Sequence, residues 1–97
     1  MKKLILVLLF VPLISFGQIA KDYFDSGLSK AKSGDYSGAF LDFTKAIELK
    51  PDDAMAYSNR GLAKNDLKDL SGACDDWRRA ANLGHSNAAK WVKDQCN

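Results

Sequence analysis

Two cysteines, a single histidine and a pair of adjacent aspartates are the residues of this 97-residue chain whose types could do chemistry. Cys74 and Cys96 form no CxxC pair and have no cluster of further ligands, so neither a redox motif nor a metal site is expected of them. His85 lacks a second ligand and is expected to be a solvated turn residue. Asp75 and Asp76 are neighbours, and adjacent helix positions point about 100 degrees apart, so the two cannot share one substrate proton. Their expected role is solvation, with Asp75 four residues before Arg79 on one helix face. No nucleophile, base and orienting group converge, and there is no glycine-rich phosphate loop. The expectation is a non-enzyme with no catalytic residue, no metal and no cofactor.

The residues that position these groups begin after a targeting segment. Lys2 and Lys3 form a short basic region, Leu4 to Ile14 an apolar run broken by Pro12, and Ser15-Phe16-Gly17 places small residues where a signal peptidase reads them. Residues 1–17 are therefore expected to be a cleavable signal peptide, cut before Gln18. An uncleaved anchor is the alternative, but a span takes about 20 apolar residues and this run is shorter. No cysteine follows the run closely, which argues against a lipid anchor. Lys2 and Lys3 also account for the whole formal charge of +2. Residues 18–97 then carry no net charge, and a nucleic-acid partner, which needs a basic surplus, is not expected. A chain this small often draws on a disulfide or a partner for stability.

Self-comparison reveals a period of 34 residues. Tyr23, Tyr57 and Trp91 share a place in it. So do Gly27 and Gly61, Asp35 and Asp69, Gly38 and Gly72, Ala39 and Ala73, Phe43 and Trp77, Ala46 and Ala80, and Leu49 and Leu83. Within each period apolar residues recur at three and four, the spacing of one helix face, and breaks fall at Gly34-Asp35 and Lys68-Asp69. Each period is thus a helical hairpin, with Asp35 and Asp69 placed to cap the second helix. Pro51 ends the first hairpin, and Asp52 or Asp53 can cap the helix after it. Gly27, Gly61, Ala39 and Ala73 are small so that helices approach closely, while Tyr23, Phe43, Tyr57 and Trp77 fill the space beside them; Ala46 and Ala80 do the same between hairpins.

This pattern of aromatic, glycine, alanine, aromatic, alanine and proline resembles the tetratricopeptide repeat family. Residues 20–53 match with Tyr23, Gly27, Ala39, Phe43, Ala46 and Pro51, and residues 54–87 with Tyr57, Gly61, Ala73, Trp77 and Ala80. The resemblance implies an all-α domain over 18–97, an α-solenoid of two helix-turn-helix repeats. Residues 86–96, with Trp91 in the aromatic place, would form a C-terminal capping helix that turns Lys90, Lys93 and Asp94 outward and inserts Trp91 and Val92. Lys30 and Lys64 depart from the pattern where an aromatic is usual, which is expected to loosen packing. His85 stands in place of the second proline, beside Gly84, which can end the helix itself. The run Gly72-Ala73-Cys74-Asp75-Asp76-Trp77, with Leu83-Gly84 and a late cysteine, looks like short exported repeat proteins of Bacteroidetes-type bacteria.

Cys74 falls at an apolar position of a second helix and Cys96 near the end of the helix expected to pack over it. A bridge between them is the expectation, and a buried thiol with a free terminal one the alternative. The resemblance further implies an inner face built from the first helices. By residue matching it carries Lys21, Phe24, Leu28, Ala31 and Lys32, then Met55, Ser58, Leu62, Asn65 and Asp66, an apolar strip with a charged rim suited to a peptide or helix. Packing of these residues between the two first helices is the competing reading. The subtype that grips chaperone tails is not expected, because Phe24 and Leu28 occupy the places of its lysine and asparagine. The function expected is an exported module, periplasmic or secreted, that binds a protein or peptide and has no membrane span once its leader is cut. The alternative is a self-associating scaffold or a permanent subunit of an envelope complex.

Overall fold

The structure, a computed structural model, describes residues 15–97. Most of the leader read in residues 1–17 lies outside the described residues. Its last two, Phe16 and Gly17, open the first helix among the described residues. Among the described residues five helices follow one another: α1 (Phe16–Lys32), α2 (Tyr36–Leu49), α3 (Ala54–Asp66), α4 (Leu70–Asn82) and α5 (Ser86–Gln95). Each packs on the next, and α1 also touches α3, which makes two stacked hairpins closed by a single helix.

Short polar side chains start each helix by accepting from free backbone donors of the first turn. Ser15 accepts from Gln18 N at 3.1 Å, Asp35 from Gly38 N at 2.9 Å and Asp69 from Gly72 N at 2.9 Å. Asp53, not Asp52, caps α3, accepting from Met55 N at 3.0 Å and Ala56 N at 3.4 Å. His85 is no solvated loop residue, contrary to the expectation from sequence. Its Nδ1 accepts from Ala88 N at 3.0 Å, and its ring lies 6.1 Å from that of Trp91, because the turn after Gly84 places it at the cap of α5. Helix ends are closed by left-handed residues: Gly34 at φ 87° and Gly84 at φ 99° let Asp35 N and His85 N reach back to Lys30 O and Ala80 O.

Small residues decide how closely the helices pack. A Cβ on Gly27 would stand 2.6 Å from Phe43 Cε1, and one on Gly61 would stand 2.5 Å from Trp77 Nε1 and 3.2 Å from the Ala73 carbonyl oxygen. Each first helix therefore lays bare backbone against the aromatic ring of its second helix. Phe43, Trp77, Ala39, Ala46, Ala73 and Ala80 are buried, and Tyr57 nearly so. The core divides into two clusters. One, around Trp77, includes Ile47, Ala56, Tyr57 and Ala88; the other holds Ala39, Phe43 and Ala63. Phe24 packs against both, its ring 5.7 Å from that of Phe43. Trp91 meets Trp77 at 5.4 Å between centroids. Cys74 and Cys96 are joined by a disulfide that ties the end of α5 to α4.

The lysines at Lys30 and Lys64 do not loosen the hairpins, as their departure from the aromatic pattern suggested. Each forms an ion pair across its own hairpin, Lys30 with Asp42 and Lys64 with Asp76, both at 3.0 Å. Asp76 is likewise not a solvated residue. It is 1% exposed and accepts a two-pronged contact from Arg60, whose Nε and Nη2 each lie 2.8 Å from a carboxylate oxygen. The hydrogen bond to Asp76 raises the Arg60 pKa against the opposing effect of burial. With two cations and a bidentate geometry, the buried carboxylate is fully matched. Asp75 pairs with Arg78 at 3.4 Å instead of Arg79, because Arg79 turns over the Tyr57 ring at 5.8 Å.

Candidate functional site

The last turns of α1 and the middle of α3 run side by side with Phe43 beneath them, and this leaves a depression of about 310 Å³. Leu28, Ala31 and Lys32 form one wall. Asn59, Leu62, Ala63 and Asp66 form the other, and Tyr36 closes one end. Lys32 and Asp66 occupy equivalent places in the two repeats and are exposed, so one wall ends in a cation and the other in a carboxylate. Leu62 is 37% exposed and Leu28 half-buried, an apolar strip accessible to a side chain from outside. A shallow apolar slot with charges of both signs at its mouth orients an amphipathic segment through the charges and holds it through the leucines.

Of the inner-face residues expected from sequence, Leu28, Lys32, Leu62 and Asp66 come together here, with Ala31. The others do not. Lys21 and Phe24 line a separate depression of about 250 Å³ with Gly17, Ala20, Lys50 and Asp53. There Lys21 is held by Asp25 at 2.7 Å, and that hydrogen bond and charge raise its pKa. Phe24 faces the core as much as the surface, since it is wedged between both clusters. Ser58 is a correction: at 2% exposed it is buried on the α3 face turned to the core. Met55 is 50% exposed and Asn65 partly so, yet neither lines the groove.

Asn59, Tyr36 and Ala63 were missed. Asn59 had a signal, because it stands three and seven residues before Leu62 and Asp66 and so shares their helix stripe. Tyr36 had none, since its approach to α3 depends on how sharply the α1–α2 turn brings the hairpin round. The pairing of Lys30 with Asp42 and Lys64 with Asp76 was legible too, both partners recurring at the period of the repeat. Among the described residues no helix is long and apolar enough to cross a membrane, and no group of three or more His, Cys, Asp or Glu is placed to hold a metal ion.

Residues 27–67 match the family model described as a TPR repeat. The chain is 37% identical over 70 residues to a tetratricopeptide repeat protein 36 homolog of Nematostella vectensis, a stretch that covers 72% of this chain and 39% of that protein. It is 40% identical over 65 residues to tetratricopeptide repeat protein 36 of Danio rerio, covering 67% and 35% of the two chains. For the Mus musculus protein the identity is 41% over 66 residues, covering 66% and 36%. The chain thus spans between a third and two-fifths of the length of the curated relatives it matches. All three are animal proteins, and they lend no support to the bacterial resemblance. The 34-residue period, the stacked helical hairpins and these matches together support the tetratricopeptide repeat family for this chain.

Proposed function

We propose that the chain is an exported protein-binding module that takes an amphipathic peptide, or the helix of a partner, into the groove between α1 and α3. Helical repeats of this kind generally bind protein partners on a continuous face. The observation that supports the site is the meeting of Leu28 and Leu62 over Phe43, with Lys32 and Asp66 at the mouth. Two hairpins make a shallow trough, so affinity rests on a few apolar anchors instead of area. Export rests on the basic, apolar and small-residue order of residues 1–17, and N-terminal sequencing of the product from its own cell tests it. A chain beginning at Met1 in the mature product would sink that part of the proposal.

The groove is tested by capture from the source cell's extract with residues 18–97, beside a Leu28→Ser/Leu62→Ser variant checked for unchanged helicity. Retention of one protein by the first and its loss by the second supports the groove. Equal retention by both overturns it. A second reading, self-association, is favoured by Leu41, which is 65% exposed on α2. Light scattering on the chain alone separates the two, because a scaffold is oligomeric without a partner.

A further inference from the structure

The disulfide between Cys74 and Cys96 holds the far end of α5 to α4, while the near end joins α4 through the turn at Gly84 and His85 and through Ala88, buried in the Trp77 cluster. α5 has 10 residues. A helix of that length does not hold its shape in water without packing. Its apolar packing rests on a short stripe: Ala88 is its buried residue, and Trp91 and Val92 are half-covered against the Trp77 cluster. The place of α5 on α4 therefore rests on that stripe and on the bridge together.

The two sulfurs of that bridge are unequally reachable. Cys74 is 5% exposed, whereas Cys96 is half-buried at the helix cap between exposed Gln95 and Asn97. A depression of about 360 Å³ opens beside the pair, lined also by Leu70, Ser71 and Arg78. Arg78 stands one turn after Cys74 on α4. Its guanidinium is held there by the Cys96 carbonyl at 3.5 Å and by Asp75 at 3.4 Å. A cation lining the same depression as a leaving sulfur favours its thiolate.

We propose that the Cys74–Cys96 bridge is a thiol-exchange site whose co-substrate is a dithiol, and that α5 is the latch it controls. One thiolate of the dithiol attacks Cys96 Sγ through the open depression. A sulfur–sulfur bond forms there as the Cys74–Cys96 bond breaks, and Cys74 Sγ leaves as a thiolate in the depression that Arg78 also lines. The second thiol of the reagent then displaces Cys96, so the reagent leaves as its disulfide, two electrons pass to the chain, and solvent protonates the two cysteines. Freed at its far end, α5 lifts and uncovers Trp77 on α4.

The test uses residues 18–97 with glutathione, the mixed disulfide being trapped by rapid alkylation of the released thiol, and then with dithiothreitol. Peptide mass mapping is expected to find the adduct on Cys96, and Arg78→Gln to slow its formation about threefold. After full reduction, amide exchange in residues 86–95 is expected to rise at least about tenfold while α1 to α3 keep their protection. A Cys74→Ser/Cys96→Ser variant, which cannot bridge, is expected to exchange as fast without any reductant. An adduct on Cys74, no adduct short of global unfolding, unchanged protection of residues 86–95 after reduction, or unfolding of the whole chain on reduction would each overturn the proposal.

Discussion

Lys68 holds the place in the second hairpin that Gly34 holds in the first, and takes up the same left-handed backbone, at φ 70°. The turn needs that conformation so that Asp69 N can close on Lys64 O at 2.8 Å. For a residue with a Cβ it costs about 1–2 kcal/mol, part of which glycine gives back in the entropy of the unfolded chain. Lys68→Gly is expected to stabilise by about 0.5–1 kcal/mol, read as a higher urea midpoint. Asp42 supplies a pH-dependent prediction. Burial pushes its carboxyl up, but hydrogen bonds from Ser26 and Lys30 and the charge of the lysine outweigh that, so it titrates below its ordinary 3.8. A carboxyl lowered by folding stabilises above its unfolded value and loses that stabilisation as pH falls through the folded value. Ser26→Ala, which removes a 2.6 Å bond, is expected to cost about 1 kcal/mol at neutral pH. The cost should shrink below about pH 4, and urea melts on both sides of that pH check it.

Helix pairs meet at Gly27 and Gly61, and the two meetings differ in what could give way. An added methyl at Gly27 meets the Phe43 ring first, at 2.6 Å and beyond, and a side chain has more room to give than backbone. At Gly61 the methyl meets the Trp77 indole and also the Ala73 carbonyl oxygen at 3.2 Å, which is backbone. Gly61→Ala is therefore expected to push α3 away from α4 and cost about 2–3 kcal/mol, near the upper end for overpacking. Gly27→Ala is expected to cost less than Gly61→Ala, and thermal melts of the two variants side by side settle the order. The start of α5 is a further case. His85→Ala removes the acceptor for Ala88 N and is expected to cost about 1 kcal/mol, while His85→Asn restores most of it. Amide exchange in α5 is the readout, since the cap acts on that helix first.

Stability across the whole molecule depends on how the two hairpins are joined. The Phe43 and Trp77 clusters have Phe24 in common, a ring from the first helix packed against both. In a stacked array, stability is a sum of the units and the contacts between neighbours, so a residue shared by two units carries their cooperativity. Phe24→Ala is expected to cost about 3 kcal/mol and to lower the slope of the urea transition, as the hairpins come apart before they melt. An unchanged slope would show that α2 against α3 suffices to couple them. The binding groove lies between the same two units, so a partner seated on Leu28 and Leu62 would also tighten the join.

The period of 34 residues was enough to establish the helices, their order, the caps at Asp35 and Asp69 and the crossings at Gly27 and Gly61. These are local or nearest-neighbour matters, repeated identically wherever the pattern repeats. What depended on the third dimension was different in kind. Asp76 sits among solvated-looking neighbours in sequence, yet the approach of α3 to α4 sinks it and brings Arg60 and Lys64 to meet it. His85 looked like a loop residue until the turn at Gly84 aimed its ring nitrogen at α5. The inner face lost Phe24 and Ser58 to the core and gained Asn59 and Tyr36, because burial depends on how far each helix is rotated about its axis. Helical spacing in the sequence gives only the relative directions of side chains, and packing against the neighbouring helices sets which direction is inward.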